Sequence, residues 1–303
     1  MNVLVTGGSG FLGSHLADAL SDAGYNVFIF DNCPSPYLRS DQNMITGDIL
    51  NQDLLHDIVR DMDIVYHLAG IADIDECSQR PVDTVRINIL GTVNLLEAAK
   101  QTNINRFVFA SSVYVYSDLG FFYRSSKQAC ESYIENYADL YGLKYTCLRY
   151  GSLYGPRSDN RNGVYRLIKQ AIENGKIVYH GTGEEQREYI HVLDAAKSSI
   201  EVLTPEFENT NVVLTGKEKV RSGDLLEMIK EMFGHNIDIE YQHSTNPFHY
   251  KITPYNFSPK LGYKLVCNPH IDMGQGLLQN IAEVYEQVHQ DKSSQFAIMD
   301  NKE

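Results

Sequence analysis

The sequence predicts an α/β protein built on a doubly wound parallel sheet with helices on both faces. Three observations carry this. Short apolar runs recur at residues 3–5, 27–30, 64–68, 107–110 and 145–148, each of strand length. Helix-length stretches with apolar residues three or four apart lie between them. The first run passes directly into a glycine-rich turn, Thr6-Gly7-Gly8-Ser9-Gly10-Phe11-Leu12-Gly13. Strands that are apolar on both faces belong to parallel sheets buried on both sides. Ligands of such sheets bind beyond the carboxyl ends of the strands.

Taken in order, the first helix carries Phe11, Leu12, Leu16, Ala19 and Leu20. A later one carries Val85, Ile89, Val93 and Leu96, and a third Tyr133, Ile134, Tyr137, Leu140 and Tyr141. After about residue 155 the rhythm loosens. An Arg-, Asn- and Gly-rich segment at 157–163 leads to a helix over 164–174, then a Gly181-Thr182-Gly183 turn, then a helix around 224–233. Pro247, Pro254 and Pro259 punctuate an irregular stretch, and the last residues form a polar tail. With 303 residues, two domains are expected. We assign 1–155 and 188–216 to the first, 156–187 and 217–290 to a smaller substrate-capping domain, and 291–303 to the tail.

Composition excludes several function classes. A net charge of −13 argues against nucleic acid as partner, since phosphate backbones select basic surfaces. Cys33, Cys77, Cys130, Cys147 and Cys267 are scattered, with no spacing suited to a metal, and read as reduced. No apolar run approaches the ~18 residues of a membrane span. The chain opens without a basic n-region. A cytoplasmic enzyme or binding protein is expected, with no membrane partner and no metal.

The glycine-rich turn is suited to a dinucleotide. Gly7, Gly10 and Gly13 permit a tight turn, close approach of a pyrophosphate and helix-on-strand packing, with Phe11 and Leu12 opening the helix. The helix N-terminus adds free N–H groups and a positive dipole end. Asp31, followed by Asn32, ends the second strand 18 residues after Gly13. An acid there hydrogen-bonds a ribose diol and repels a 2′-phosphate, which selects NAD over NADP. The plain alternatives are a glycine turn and a strand-end aspartate with structural roles only.

Tyr123-Arg124-Ser125-Ser126-Lys127 places a phenol and an ammonium four residues apart on one helix face. An ammonium stabilises a phenolate and brings a phenol of pKa ~10 towards working range. Ser112, just after the run at 107–110, lies where it can hydrogen-bond a reacting hydroxyl. On these residues the chain resembles the extended short-chain dehydrogenase/reductase family. The branch is that of NAD-dependent nucleotide-sugar epimerases and dehydratases of the UDP-glucose 4-epimerase type. The resemblance extends through His67-Leu68-Ala69-Gly70, Asn88-Ile89-Leu90-Gly91-Thr92, Leu148-Arg149-Tyr150-Gly151-Ser152-Leu153-Tyr154-Gly155-Pro156-Arg157 and Arg187-Glu188-Tyr189-Ile190-His191-Val192.

That resemblance implies a Rossmann sheet with a smaller α/β substrate-capping domain. It implies catalysis by Ser112, Tyr123 and Lys127. NAD contacts are implied at Asp48, Ile49, Leu68, Ala69, Gly70 and Asn88, besides the turn, Asp31, Asn32, Tyr123 and Lys127. Ser111, Ser152 and Arg187 are implied to meet the substrate, Arg187 gripping its pyrophosphate with a planar fork suited to phosphate oxygens. A homodimer through the helices at 85–100 and 123–141 is implied too. Two departures stand out. Where dehydratases of this branch carry Asp-Glu, the chain has Val113 and Tyr114, which disfavours a 4,6-dehydratase. Only ten residues separate Ser112 from Tyr123, which leaves the sugar pocket open on that side unless another segment closes it.

The leading expectation is a nucleotide-sugar epimerase that oxidises and re-reduces C4. A C4 dehydrogenase releasing a keto sugar is the alternative, with NADH reoxidised by a second substrate. A non-catalytic NAD-binding protein is a third.

Overall fold

A computed structural model describes residues 1–102, 104–242, 249 and 251–254. Contacts divide the chain into Met1–Ser258 and Pro259–Glu303, and the described residues all belong to the first unit. Pro247, Pro259, Cys267 and the polar tail lie outside them, as does most of 217–290 beyond residue 242.

The elements alternate as the periodicity requires. In chain order they are β1 (Asn2–Thr6), α1 (Phe11–Asp22), β2 (Asn26–Asp31), β3 (Gln42–Thr46), α2 (Gln52–Val59), β4 (Ile64–His67), α3 (Ile74–Gln79) and α4 (Pro81–Thr84). A π-helical segment (Val85–Leu90) leads into α5 (Gly91–Lys100), β5 (Arg106–Ser112), a 3₁₀ turn (Val113–Tyr116), α6 (Phe121–Tyr141) and β6 (Tyr145–Tyr150). Then come β7 (Ser152–Tyr154), α7 (Gly163–Asn174), β8 (Lys176–His180), β9 (Gln186–His191), α8 (Val192–Glu201), β10 (Thr210–Leu214), β11 (Lys219–Arg221), α9 (Ser222–Met232) and β12 (Asp238–Gln242).

Seven strands form one sheet in the order β3-β2-β1-β4-β5-β6-β10, every pair parallel. The chain runs outward from β1 to β3, then returns to add β4 on the other side of β1. That reversal opens a crevice above the carboxyl ends of β1 and β4, where α/β sheets hold ligands. Successive side chains of β1 face opposite layers. Leu4 joins the core with Phe30, Val65, Phe107, Phe109 and Leu95, whereas Val3 and Val5 pack with Leu16, Ile29, Tyr66 and Ala195.

Two strands of this sheet are poorly marked in the sequence. β3 is mostly polar and half exposed, because it closes an edge. Among the described residues β10 pairs only with β6. The helix read through 85–96 is interrupted by its π-helical opening. The run at 64–68 stops as a strand at His67, and Leu68 begins a loop. Beyond residue 155, α7, α9, β8 and β12 enclose a separate small core of Ala171, Ile177, Leu226, Ile229 and Ile237. Among the described residues no helix is long and apolar enough to cross a membrane.

A buried histidine ties the crevice together. Thr6 Oγ1 lies 2.8 Å from His67 Nδ1, and His67 Nε2 lies 2.9 Å from Thr92 Oγ1. Thr92 donates its hydroxyl hydrogen to the Asn88 carbonyl at 2.5 Å, so Nε2 of His67 carries the proton and Nδ1 accepts from Thr6. Burial, with a smaller contribution from the Lys127 charge, pushes His67 down to about 3. The folded imidazole is therefore neutral, while the unfolded one binds a proton below about 6.5. Stability from this group is present above that pH and falls as pH drops. Between pH 7 and 5.5 the wild type is expected to lose about 1 kcal/mol more unfolding free energy than His67→Asn, by urea titration at each pH.

Candidate active site

The glycine turn follows β1 and opens α1. Gly7 has φ 72°, and a Cβ there would lie 2.7 Å from the Ala69 nitrogen. A Cβ on Gly13 would lie 2.1 Å from the Gly7 carbonyl oxygen and 2.8 Å from Gly8 Cα. These contacts are backbone and cannot yield. Gly10 caps α1 without a side chain, and the first turn holds no acid, so the positive helix end faces the crevice uncompensated. Asp31, at the end of β2, accepts the Ser9 N–H at 3.0 Å and the Cys33 N–H at 3.3 Å. Its carboxylate is thereby held against the turn, with Asn32 exposed beside it.

Leu68, Ala69 and Gly70 cross the carboxyl end of β4. Asn88 holds this loop, accepting the Ile71 N–H at 2.7 Å and donating to the Ile71 carbonyl at 3.0 Å and to Ser126 Oγ at 3.0 Å. Its amide is thus spent on the backbone around the crevice and on α6. Asp48 is exposed and turns its carboxylate onto the Leu50 N–H at 2.9 Å. Ile49 is buried against Gly91, where a Cβ would meet Ile49 Cγ2 at 2.8 Å.

Ser112, Tyr123 and Lys127 gather at the carboxyl edge of β5. Ser112 is 7% exposed and accepts the Tyr114 N–H, capping the 3₁₀ turn. Lys127 is buried, donates to the Ala110 carbonyl at 2.8 Å, and lies 4.8 Å from the Phe109 ring centre and 5.8 Å from that of Tyr123. Burial lowers its pKa, partly opposed by Cys130, Cys77 and Glu131. An anion arriving beside it repairs the missing solvation.

Behind these residues stands a buried ion pair. Arg149 of β6 binds Glu131 of α6 through Nε at 2.9 Å and Nη2 at 2.7 Å, and its Nη1 donates to the Tyr116 hydroxyl at 2.5 Å. Burial opposes the Arg149 charge, and the Glu131 bond and charge more than offset it, so its pKa is raised. Ser111 is only 3% exposed and donates to Glu131 Oε1 at 2.5 Å. Its hydroxyl is occupied inside the fold, unlike the sugar contact expected of it.

Ser152 lies half-buried on β7 opposite Tyr189. Arg187 lies half-buried on β9 opposite Val220. One residue escaped the sequence analysis. His249 places Nδ1 2.8 Å from the hydroxyl oxygen of Tyr114, whose ring packs edge-on to that of Tyr123 at 6.1 Å. Nothing in its proline-punctuated surroundings marked it. Replacing Gly13 by Ala is expected to weaken NAD binding about tenfold to a hundredfold, measured by calorimetry, since 1–3 kcal/mol of overpacking falls on backbone.

The comparisons with known proteins agree with this geometry. A sequence model of the NAD dependent epimerase/dehydratase family matches residues 3–214. A putative UDP-glucose 4-epimerase of Methanocaldococcus jannaschii is 32% identical, over 91% of this chain and 95% of its own. A UDP-N-acetyl-alpha-D-glucosaminuronate decarboxylase of Bacillus cytotoxicus is 28% identical, over 92% and 96%. The crystal structure of the UDP-glucuronic acid 4-epimerase of Bacillus cereus, in complex with UDP-glucuronic acid and NAD, is similar with a TM-score of 0.77. It is 27% identical, with 86% of this chain and 95% of that one covered. The glycine cradle that any Cβ would fill, and the acid held beside it, fit the dinucleotide. The chain belongs to the NAD dependent epimerase/dehydratase family, and its cofactor is NAD.

Proposed function

We propose that the chain is a nucleotide-sugar epimerase that inverts C4. The observation that carries this is Lys127: a buried ammonium at the end of β5, one helical turn from Tyr123 and facing its ring. Tyr123, as phenolate, takes the proton of the C4 hydroxyl. Lys127 holds that phenolate and the ribose of the cofactor, and Ser112 hydrogen-bonds the reacting hydroxyl. Bound NAD would supply the redox chemistry, as a reversible hydride acceptor at C4. Arg187 grips the pyrophosphate and Ser152 contacts the sugar nucleotide, while Ser111 serves the site through Glu131. We read residues 1–155 and 188–216 as the NAD-binding domain, and the described part of 156–187 with 217–290 as the substrate domain; most of 243–290 lies outside the described residues. Free cysteines at 33, 77, 130 and 147 fit the reducing cytoplasm.

A second reading is favoured by the decarboxylase relative. Oxidation at C4 of a uronic acid makes a β-keto acid, which loses carbon dioxide readily, so the same Tyr123–Lys127 chemistry would begin that reaction. Val113 and Tyr114 in place of an acidic pair speak against 4,6-dehydration. UDP-glucose, UDP-N-acetylglucosamine and UDP-glucuronic acid, incubated in deuterated water and followed by NMR, separate the outcomes. Clean inversion at C4 is expected. Carbon dioxide release would establish the decarboxylase, and an accumulating ketone the dehydrogenase. Tyr123→Phe is expected to lower kcat about 10²- to 10⁴-fold, the usual contribution of a positioned acid–base group.

We further infer a homodimer. Phe122, Tyr133 and Leu140 are 48%, 44% and 72% exposed, and at ~100° per residue they project from α6 within a narrow stripe. Val82 and Val85 on the neighbouring helical segment are 70% and 53% exposed. Such apolar area marks an interface. Leu140→Asp is expected to give a monomer in sedimentation velocity with one NAD still bound per chain.

A further inference from the structure

We propose that Tyr114 and His249 are a positioning pair for Tyr123, walling the sugar site on the side that the short Ser112–Tyr123 segment leaves open. The inference rests on Tyr123 being the base proposed above. Four observations converge on it. The Tyr114 ring meets the Tyr123 ring edge-on, at 6.1 Å and 81°. The same ring lies against Gly120, where a Cβ would approach Tyr114 Cδ1 to 2.6 Å. Tyr114 is therefore packed between Gly120 and Tyr123, directly before and at the start of the helix that carries Tyr123. Its hydroxyl is 2.8 Å from His249 Nδ1, with the rings 6.4 Å apart and nearly perpendicular.

The fourth observation is how His249 is anchored. The Gln186 N–H donates to the Lys251 carbonyl at 2.7 Å, Ile252 bridges to Gln186, and the Glu188 N–H donates to Thr253 Oγ1 at 3.2 Å. This backbone thus runs along β9, and β9 carries Arg187. The pair links the lobe that holds Arg187 to the base at the end of β5. It can therefore align a sugar gripped at its phosphates with the phenol that deprotonates it.

The Tyr114–His249 bond is sensitive to protonation. Burial lowers the His249 pKa, with Arg187 on β9 and Arg166 on α7 acting in the same direction; Asp75 on α3 and Asp73 at its cap oppose them. Neutral His249 can accept the Tyr114 hydroxyl hydrogen through Nδ1; once protonated, Nδ1 can only donate. The bond then reverses and Tyr114 must turn its hydroxyl.

Tyr114→Phe keeps the ring and removes the bond; His249→Gln keeps a polar group and removes the titration. Each is expected to lower kcat about tenfold, the scale of a small misplacement of a reacting group, with KM changed less than twofold. The double variant should be no worse than either single one, since both remove one interaction. The wild-type kcat should fall on the acid side below the usual histidine range, and His249→Gln should lack that limb. A wild-type kcat and pH profile in Tyr114→Phe, or losses that multiply in the double variant, would overturn the proposal. NMR of ¹³C-labelled tyrosine gives a readout that needs no substrate. The Tyr123 ring signal, assigned by its loss in Tyr123→Phe, is expected to shift in His249→Gln. An unmoved signal refutes the pair even if no sugar nucleotide is turned over, whereas a shifted signal without turnover refutes only the epimerase.

Discussion

The bidentate contact between Arg149 and Glu131 ties together the elements that carry the candidate site residues. It joins β6 to the middle of α6, and through Ser111 and Tyr116 it also grips the end of β5 and the turn that follows. α6 carries Tyr123 and Lys127 on its first turns, and β5 ends in Ser112. The relative position of phenol, ammonium and serine is therefore set by one buried carboxylate shared among three donors. Replacing such a pair by apolar residues can cost little stability, whereas removing one partner strands a buried charge. Its value here is geometric: Glu131 fixes the helix rotation that aims Lys127 at Ala110 and Phe109.

The glycine turn is held by the same kind of device on the other side of the crevice. Thr6, His67, Thr92 and Asn88 form a chain of buried hydrogen bonds from the end of β1 to the π-helical segment. Asn88 extends it through Ser126 to the Tyr123 carbonyl. The widened turn of that segment matters, because it frees carbonyls and brings Asn88 inward to reach both Ile71 and α6. π-Helical turns are often kept at functional sites for this reason. The NAD side and the catalytic side of the site are thus parts of one hydrogen-bonded frame.

How much of this the sequence revealed follows from where each residue's cause lies. The strands of the buried sheet centre were legible as apolar runs because both their faces are covered. The edge strand β3 was not, because a strand with one neighbour and a wet face need not be apolar. The glycine turn was legible because its backbone geometry demands glycine, and Tyr123 and Lys127 stood out as candidates by their four-residue spacing on one helix face. The bond from the Ser111 hydroxyl to Glu131 was not legible, because its partner lies twenty residues away on α6. His249 was invisible because only the pairing of Lys251–Thr253 with β9 brings it to Tyr114. Three of the five residues of the apolar stripe read at 133–141 lie outside the core. Ile134 is fully buried, but Tyr133 and Leu140 are not, and periodicity alone does not distinguish a core face from an interface.

Charge follows a similar division. The chain carries −13 overall yet binds an anionic dinucleotide, so attraction cannot come from its surface as a whole. Several exposed arginines are already matched: Arg39 with Asp22 and Asp41, Arg80 with Glu76 and Asp83, Arg221 with Glu184 and Asp224. Such solvated pairs contribute little to stability, and they leave little long-range field. The positive potential of the site is instead short-ranged, from the uncapped start of α1 and the desolvated ammonium of Lys127. Both act over a few ångströms in a low-dielectric crevice, where each is worth more than a surface charge. An acidic surface then costs the site little, because the cofactor's phosphates are met by these local groups rather than by the surface as a whole.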